Sequence, residues 1–219
     1  MEVKVDLGKK FGRFTLEVRA GWRGSAVLLG PNGGGKSTAL KCIAGIYNCR
    51  RHVVVDGSPA PPGRFLYVPP APRVPEAVTV ADYLAHVSEV LGRDVKPLFG
   101  VDGFLHKRGG ELSTGMAARV ALAAAFSTDK ILILDEPLSS LDTEGKVELM
   151  KRLAERPFIA ATHEPWPFLP LRPYFLYVEN GVLKAEGGVE ALKAYYLSHC
   201  GGGLCVEEGE LRSVVGYGF

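Results

Sequence analysis

The segment "AVLLGPNGGGKST", residues 26–38, carries the spacing Gly30-x4-Gly35-Lys36-Ser37. Glycines so arranged let successive backbone N–H groups curl around an anion, and the lysine brings a cation to the outer oxygens of a polyphosphate. The hydroxyl beside it is placed to ligand Mg²⁺. Ala26–Leu29 reads as an apolar strand before the loop and Lys36–Ile46 as a helix after it, so a helix N-terminus adds its dipole to the anion site. Gly30, Pro31, Asn32, Gly33, Gly34, Gly35, Lys36, Ser37 and Thr38 are the candidate nucleotide-binding residues. A second segment, "ILILDEPLSSLD", spans residues 131–142. Its apolar run ends in Asp135-Glu136, which delivers two carboxylates to the C-terminal edge of a sheet, where ligands bind in open α/β folds. Asp135 is the candidate metal ligand beside Ser37, and Glu136 the candidate general base for an attacking water.

The elements that must position these residues alternate between strand and helix. Val53–Val55, Phe65–Val68, Ile131–Leu134 and Phe158–Ala161 read as short buried strands. Thr79-x-x-Asp82 opens a helix whose apolar face holds Val80, Tyr83, Leu84, Val87, Val90 and Leu91, and Gly92 stops it. Met116–Phe126 is an alanine-rich helix. Asp142 is placed as a helix N-cap. Asn180-Gly181, between "YFLYVE" and "VLKAE", is a strong two-residue hairpin signal. The C-terminal stretch 201–219 carries no assignable pattern.

Together these segments resemble the ATP-binding cassette ATPases. "GPNGGGKST" is similar to the family's Walker A, "ILILDEP" to its Walker B and "SSLD" to its D-loop, while "ELSTGM" (residues 111–116) resembles the signature segment. "ATHEP" offers His163 as the family's switch histidine. The resemblance implies a P-loop NTPase core with a mostly parallel sheet, an antiparallel β subdomain and a short α-helical subdomain at about 73–128, all within one domain over 1–219. It implies ATP and Mg²⁺ as cofactors and a head-to-tail dimer with a second cassette, identical or not. ATP is then held between one Walker A and the partner's signature, with Ser113 and Gly115 acting in trans, Asp142 in the D-loop and His163 at the γ-phosphate. Phe11 is the implied adenine-stacking aromatic, Phe14 its alternative, and core packing a competing account of both.

One departure stands out. Where the family carries a glutamine after a strand similar to "FLYVP", this chain has Pro70, which offers no N–H and no polar side chain. The last glutamine of the signature is Met116. There is no glutamine in the whole chain, and asparagine occurs only at positions 32, 48 and 180. Such depletion accompanies proteins of very hot environments, although a biased genome has the same effect.

Charged residues make up 23%, ordinary globular usage, and a net charge of +2 is too small to argue for a nucleic-acid partner or an anionic membrane surface, so no nucleic acid is expected. Neither a signal peptide nor a membrane-spanning run is expected, so the chain reads as soluble and intracellular, and the resemblance implies a cytoplasmic place, peripheral on the inner face of the cell membrane. Cys42, Cys49, Cys200 and Cys205 show no paired CxxC. Cys200-x4-Cys205 could form a metal half-site or a disulfide, but buried, idle thiols are the expectation. The leading functional expectation is the ATPase subunit of a transporter with separate transmembrane permease subunits. A soluble cassette ATPase, or a weakly hydrolysing nucleotide-gated clamp suggested by Pro70, are the alternatives.

Overall fold

The computed structural model describes residues 1–199. Cys200, Cys205 and the 201–219 tail lie outside the described residues. The chain forms two compact units, one of Met1–Pro62 with the segment from Ala161 onward, the other of Gly63–Ala160.

The first unit is a mixed sheet built on a long hairpin. Strands β1 (Glu2–Phe11) and β2 (Phe14–Arg23) pair antiparallel from Glu2↔Arg23 to Phe11↔Phe14. Val3, Val5 and Leu7 alternate with polar residues along β1 and are buried, the period-2 pattern of a half-solvated strand. Sequence reading left this hairpin unassigned, although the alternation is there. Strand β3 (Ala26–Leu29) is buried at all four positions. Strand β4 (Arg50–Val55) begins three residues before the expected strand and pairs with β1, and β5 (Ser58–Pro59) borders it. The strand order is β5-β4-β1-β2-β10-β9-β3. β9 (Tyr174–Glu179) and β10 (Val182–Gly187) form the expected hairpin around Asn180-Gly181, and β3 lies parallel to β9.

Helix α1 (Lys36–Ile43) stops three residues short of the expected end. Gly45 takes φ +73° and its N–H donates to Cys42 O at 3.1 Å, while Ile46 N–H donates to Lys41 O at 2.9 Å. That pair of bonds is a Schellman C-cap, which only a left-handed residue permits. The apolar Ile46 and Tyr47 beyond it disguised the stop. The reversal carries Cys49 back to α1, where it forms a disulfide with the fully buried Cys42. The expectation of idle thiols is therefore wrong for this pair: chain reversal, invisible in the Cys spacing, joins them.

In the second unit the strand order is β8-β7-β6, with β6 (Phe65–Val68), β7 (Ile131–Asp135) and β8 (Phe158–Ala161). β6 and β7 run parallel, Tyr67 beside Ile133. All five residues of β7 are buried, as suits a strand inside a parallel sheet. Helix α2 (Val80–Leu91) is capped by Thr79, whose Oγ1 accepts from Asp82 N–H at 3.1 Å, and ends at Gly92 with φ +64°. Only Val80 and Leu84 of its expected apolar face are buried, and Val90 is 71% exposed. Helix α3 (Thr114–Phe126) starts two residues before the expected Met116 because Ser113 caps it. Helix α4 (Thr143–Leu153) follows, capped by Asp142, and α5 (Val189–His199) returns to the first unit.

The Cys42–Cys49 bond closes a short loop, with a sequence separation of 7. Chain-entropy reasoning gives it about 2–3 kcal/mol of stabilisation. Reduction by a dithiol should lower the melting temperature by roughly 5–10 °C in a protein of this size. Calorimetry with and without reductant checks this, and a Cys42→Ala/Cys49→Ala variant should not respond to the reductant.

Candidate active site

In the first unit, β3 runs into a loop whose backbone rests on the β9–β10 hairpin. Gly30 has φ +151°, and a Cβ there would lie 2.0 Å from Val178 O. Gly181 N–H donates to Gly34 O at 2.9 Å, and Gly34 N–H to Pro31 O at 3.0 Å. Lys36 is 6% exposed, and its Nζ folds back to donate to Gly30 O at 2.7 Å and Pro31 O at 3.2 Å. The ammonium thus sits at the mouth of the loop it helps to close. No side chain caps α1 at Gly35, so its first-turn N–H groups face outward from an uncapped positive helix end. Asn32 and Gly33 are exposed at the loop's tip, and Ser37 and Thr38 are half-buried at the start of α1.

The two aromatic candidates separate. The ring of Phe14 lies against the backbone of Gly35, whose Cβ would meet Phe14 Cζ at 3.1 Å. Phe14 is a packing residue under the loop. Phe11 is 39% exposed, with Tyr47 edge-on at 5.5 Å and Lys9 Nζ at 5.2 Å from its ring centroid. Phe11 is the more exposed of the two rings.

Beyond β8, Thr162 is buried, its N–H donating to Leu28 O at 3.1 Å and its Oγ1 accepting from Glu164 N–H at 3.0 Å. These bonds fix the turn that presents His163, whose own carbonyl accepts from Tyr195 O–H at 2.7 Å. The imidazole is half-exposed, Nε2 standing 3.8 Å from Glu164 Oε1.

In the second unit, Asp135 ends β7 at 1% exposure. Its Oδ2 accepts from Tyr67 O–H at 2.8 Å, while Oδ1 has no hydrogen-bond partner among the described residues. Glu136 takes φ +49°, a left-handed conformation uncommon outside glycine, and its carbonyl accepts from Ser139 N–H at 3.2 Å and Ser139 O–H at 2.8 Å. Strain of this kind collects at functional turns.

The signature segment is tied to the turn after Glu136. Ser113 Oγ accepts from Met116 N–H at 3.2 Å at the start of α3. A Cβ on Gly115 would lie 2.8 Å from Ser140 O, so the two segments touch through backbone. Arg119 of α3 donates from Nη2 to Asp142 Oδ1 at 2.6 Å and from Nη1 to Phe99 O at 2.7 Å. The same Asp142 oxygen accepts from Gly145 N–H at 2.9 Å. Pro70, the expected glutamine position, contributes a carbonyl that accepts from Ser140 O–H at a long 3.4 Å. Sequence reading missed Gly181, Tyr67 and Arg119. Asn-Gly signalled a turn and no more, and Tyr67 and Arg119 carry no local signal.

The Gly145 N–H first, and the Arg119 guanidinium second, hold the Asp142 carboxyl below its ordinary pKa. A depressed folded-state pKa means stability present above the unfolded value and lost as pH falls through the folded one. Asp142→Asn keeps the helix cap and loses the charge. Wild type should therefore be the more stable at neutral pH, with the gap closing only below the usual carboxylate range. Denaturant melts of both proteins across that range check it.

Residues 12–139 match the family model for the ABC transporter. The chain is 32% identical over 214 residues to the molybdate/tungstate import ATP-binding protein of Archaeoglobus fulgidus, covering 88% of this chain and 89% of that one. It is 29% identical over 209 residues to the molybdenum import ATP-binding protein of Rhodobacter capsulatus, covering 84% of this chain but only 58% of the relative's length. Among solved structures, an ATP-binding subunit of an ABC transporter superposes with a TM-score of 0.75 at 25% identity, covering 86% of this chain and 90% of that one. A family model spanning more than half of the chain, joined by a 32% identical relative matched over 89% of its length, decides the affiliation: the protein belongs to the ABC transporter family.

Proposed function

We propose that the chain binds Mg-ATP, hydrolyses it within a dimer of cassettes and thereby powers a membrane transporter. The observation that carries this reading is Asp135, a nearly inaccessible carboxylate with one oxygen unpartnered among the described residues, followed at once by Glu136 in a left-handed turn. A buried carboxylate oxygen without a hydrogen-bond donor is costly unless a cation is due there. The donor types fit Mg²⁺: the Asp135 oxygen and the Ser37 hydroxyl are both hard oxygen ligands. When bound, Mg²⁺ offsets charge on the β- and γ-phosphate oxygens.

The chain's own groups then divide the work. The loop N–H groups of residues 30–38 and the Lys36 ammonium hold the phosphates, and Phe11 takes the adenine. Glu136 accepts the proton of the attacking water as its oxygen closes on the γ-phosphorus, the bond from that phosphorus to the β–γ bridging oxygen breaks and ADP leaves with the oxygen, and His163 contacts the γ-phosphate. Ser113 and Gly115 act on the ATP of a second cassette, and Asp142 belongs to the same dimer face. At Pro70 water stands in for the missing glutamine, since Mg²⁺ keeps several waters readily.

No helix among the described residues is long and apolar enough to cross a membrane. We assign the spanning role to permease subunits and the cassette to the cytoplasmic face. Their docking surface is the groove of about 560 Å³ lined by Tyr83, Val87, Val90 and Leu91 of α2 with Val74 and Ala121. Tyr83, Val87 and Leu91 are only half-buried there and Val90 is exposed, and a permease helix of apolar character would cover them. Pro70 favours a second reading, a clamp gated by nucleotide that barely hydrolyses.

Three variants separate these readings. Lys36→Ala should lose ATP binding in calorimetric titration. Glu136→Gln should bind ATP, release phosphate about 10²–10⁴-fold more slowly, and elute as a dimer with Mg-ATP but not without it. A native protein with no phosphate release, with or without permease subunits, would leave the clamp as the answer. Gly181→Ala, far from any phosphate contact in sequence, should also weaken ATP binding, because its Cβ would meet Thr15 O at 2.0 Å and unseat the loop. Unchanged affinity in that variant would remove the hairpin from the site.

A further inference from the structure

We infer that Tyr67 is a positioning residue for the divalent cation, acting through Asp135. The inference rests on the Mg-ATP reading above. β6 and β7 pair in parallel with Tyr67 beside Ile133, so period-2 alternation puts Tyr67 and Asp135 on the same face, with Asp135 one step diagonal. From there the phenol reaches Asp135 Oδ2 at 2.8 Å. A carboxylate on a β-strand end is free to turn about its Cβ–Cγ bond, and a single firm donor on one oxygen fixes its plane. Oδ1, which has no hydrogen-bond partner among the described residues, is thereby aimed as the ligand. The identity of the donor matters. A lysine or arginine in that place would neutralise the charge the cation needs, whereas a phenol orients the carboxylate and leaves its full negative charge. Outer-shell donors of this kind are worth about 10–100-fold in metal affinity. The position also has a local reason: Tyr67 lies three residues before Pro70, the site that supplies no side-chain ligand of its own.

The test uses the full chain loaded with ATP and Mn²⁺ as the probe, free Mn²⁺ being followed by electron paramagnetic resonance. Tyr67→Phe should hold Mn²⁺ about 10–100-fold more weakly than wild type, with ATP affinity in EDTA and the melting temperature unchanged. Asp135→Asn marks full loss of the ligand. Wild-type Mn²⁺ affinity in Tyr67→Phe overturns the inference, and so does a fall in metal-free ATP affinity or melting temperature of the same size, since that is a packing effect. A wild-type protein that holds Mn²⁺ no more tightly than free ATP does would instead overturn the Mg-ATP reading itself, and Tyr67's role with it.

Discussion

The glycine-rich loop after β3 is held by backbone pressed on backbone. Gly30 approaches the Val178 carbonyl so closely that no side chain fits between them, and Gly34 O takes its hydrogen bond from Gly181 N–H. Much of the unit follows from this seat. Gly181 in turn leaves no room above the Thr15 carbonyl, and its own carbonyl accepts from Glu17 N–H at 2.7 Å. Loop, hairpin turn and β2 are therefore one rigid stack, in which Phe14 fills the remaining gap. Only with the loop fixed does the Lys36 ammonium have two carbonyls to return to, and only then are the first-turn N–H groups of α1 aimed at one point. A flexible glycine loop would have to be ordered by its ligand, at a conformational-entropy cost of about 1–2 kcal/mol per residue. Here much of that ordering is already done by the sheet.

Charge is handled in the opposite way at Asp135. The carboxylate is nearly inaccessible, and its hydrogen bond among the described residues comes from a neutral phenol. A nearly inaccessible carboxylate with one oxygen lacking a hydrogen-bond partner among the described residues costs stability, and the next residue adds a left-handed Glu136. Both costs fall on adjacent residues at the end of a strand that is buried throughout. A strand of Ile131–Leu134 has the packing to tolerate them, since each of its side chains is 9% exposed or less. The apolar run that the sequence offers as the carrier of the two carboxylates is also the support for the strained end.

What could be read from the chain, and what could not, divides along the range of the interactions. Phe65–Val68 and Phe158–Ala161 match the observed strands, and Thr79, Asp142 and Gly92 cap helices as their types suggest. These are local signals, decided within four or five residues. The glycine-rich loop, the acidic pair and the segment before it were enough to point to the family, because those motifs have fixed spacing. The C-terminal end of α1 was misread because Gly45 is followed by apolar residues, and left-handed backbone at Gly45, not polarity, ends the helix. The Cys42–Cys49 bond was missed for a related reason: a seven-residue separation says nothing until the turn between them is known. Tyr67 and Arg119 had no signal at all. Each acts on a residue far along the chain, at 68 and 23 positions' distance.

Arg119 shows how such a contact binds together two motifs that look independent. It lies on α3 behind Ser113 and reaches both Phe99 O and Asp142. Asp142 is at once the N-cap of α4 and the anchor for that guanidinium, through the same oxygen. Ser140, two residues before, presses its carbonyl against Gly115. The start of α3 and the start of α4 therefore share contacts that neither can release alone. A partner that displaced Asp142 would have to break a charged hydrogen bond and a helix cap together, and the loss would be felt at Arg119 on the helix that Ser113 begins. An exposed ion pair by itself contributes little. Its effect here comes from joining two helix N-termini, so that residues 113–115 and 140–142 present a single surface.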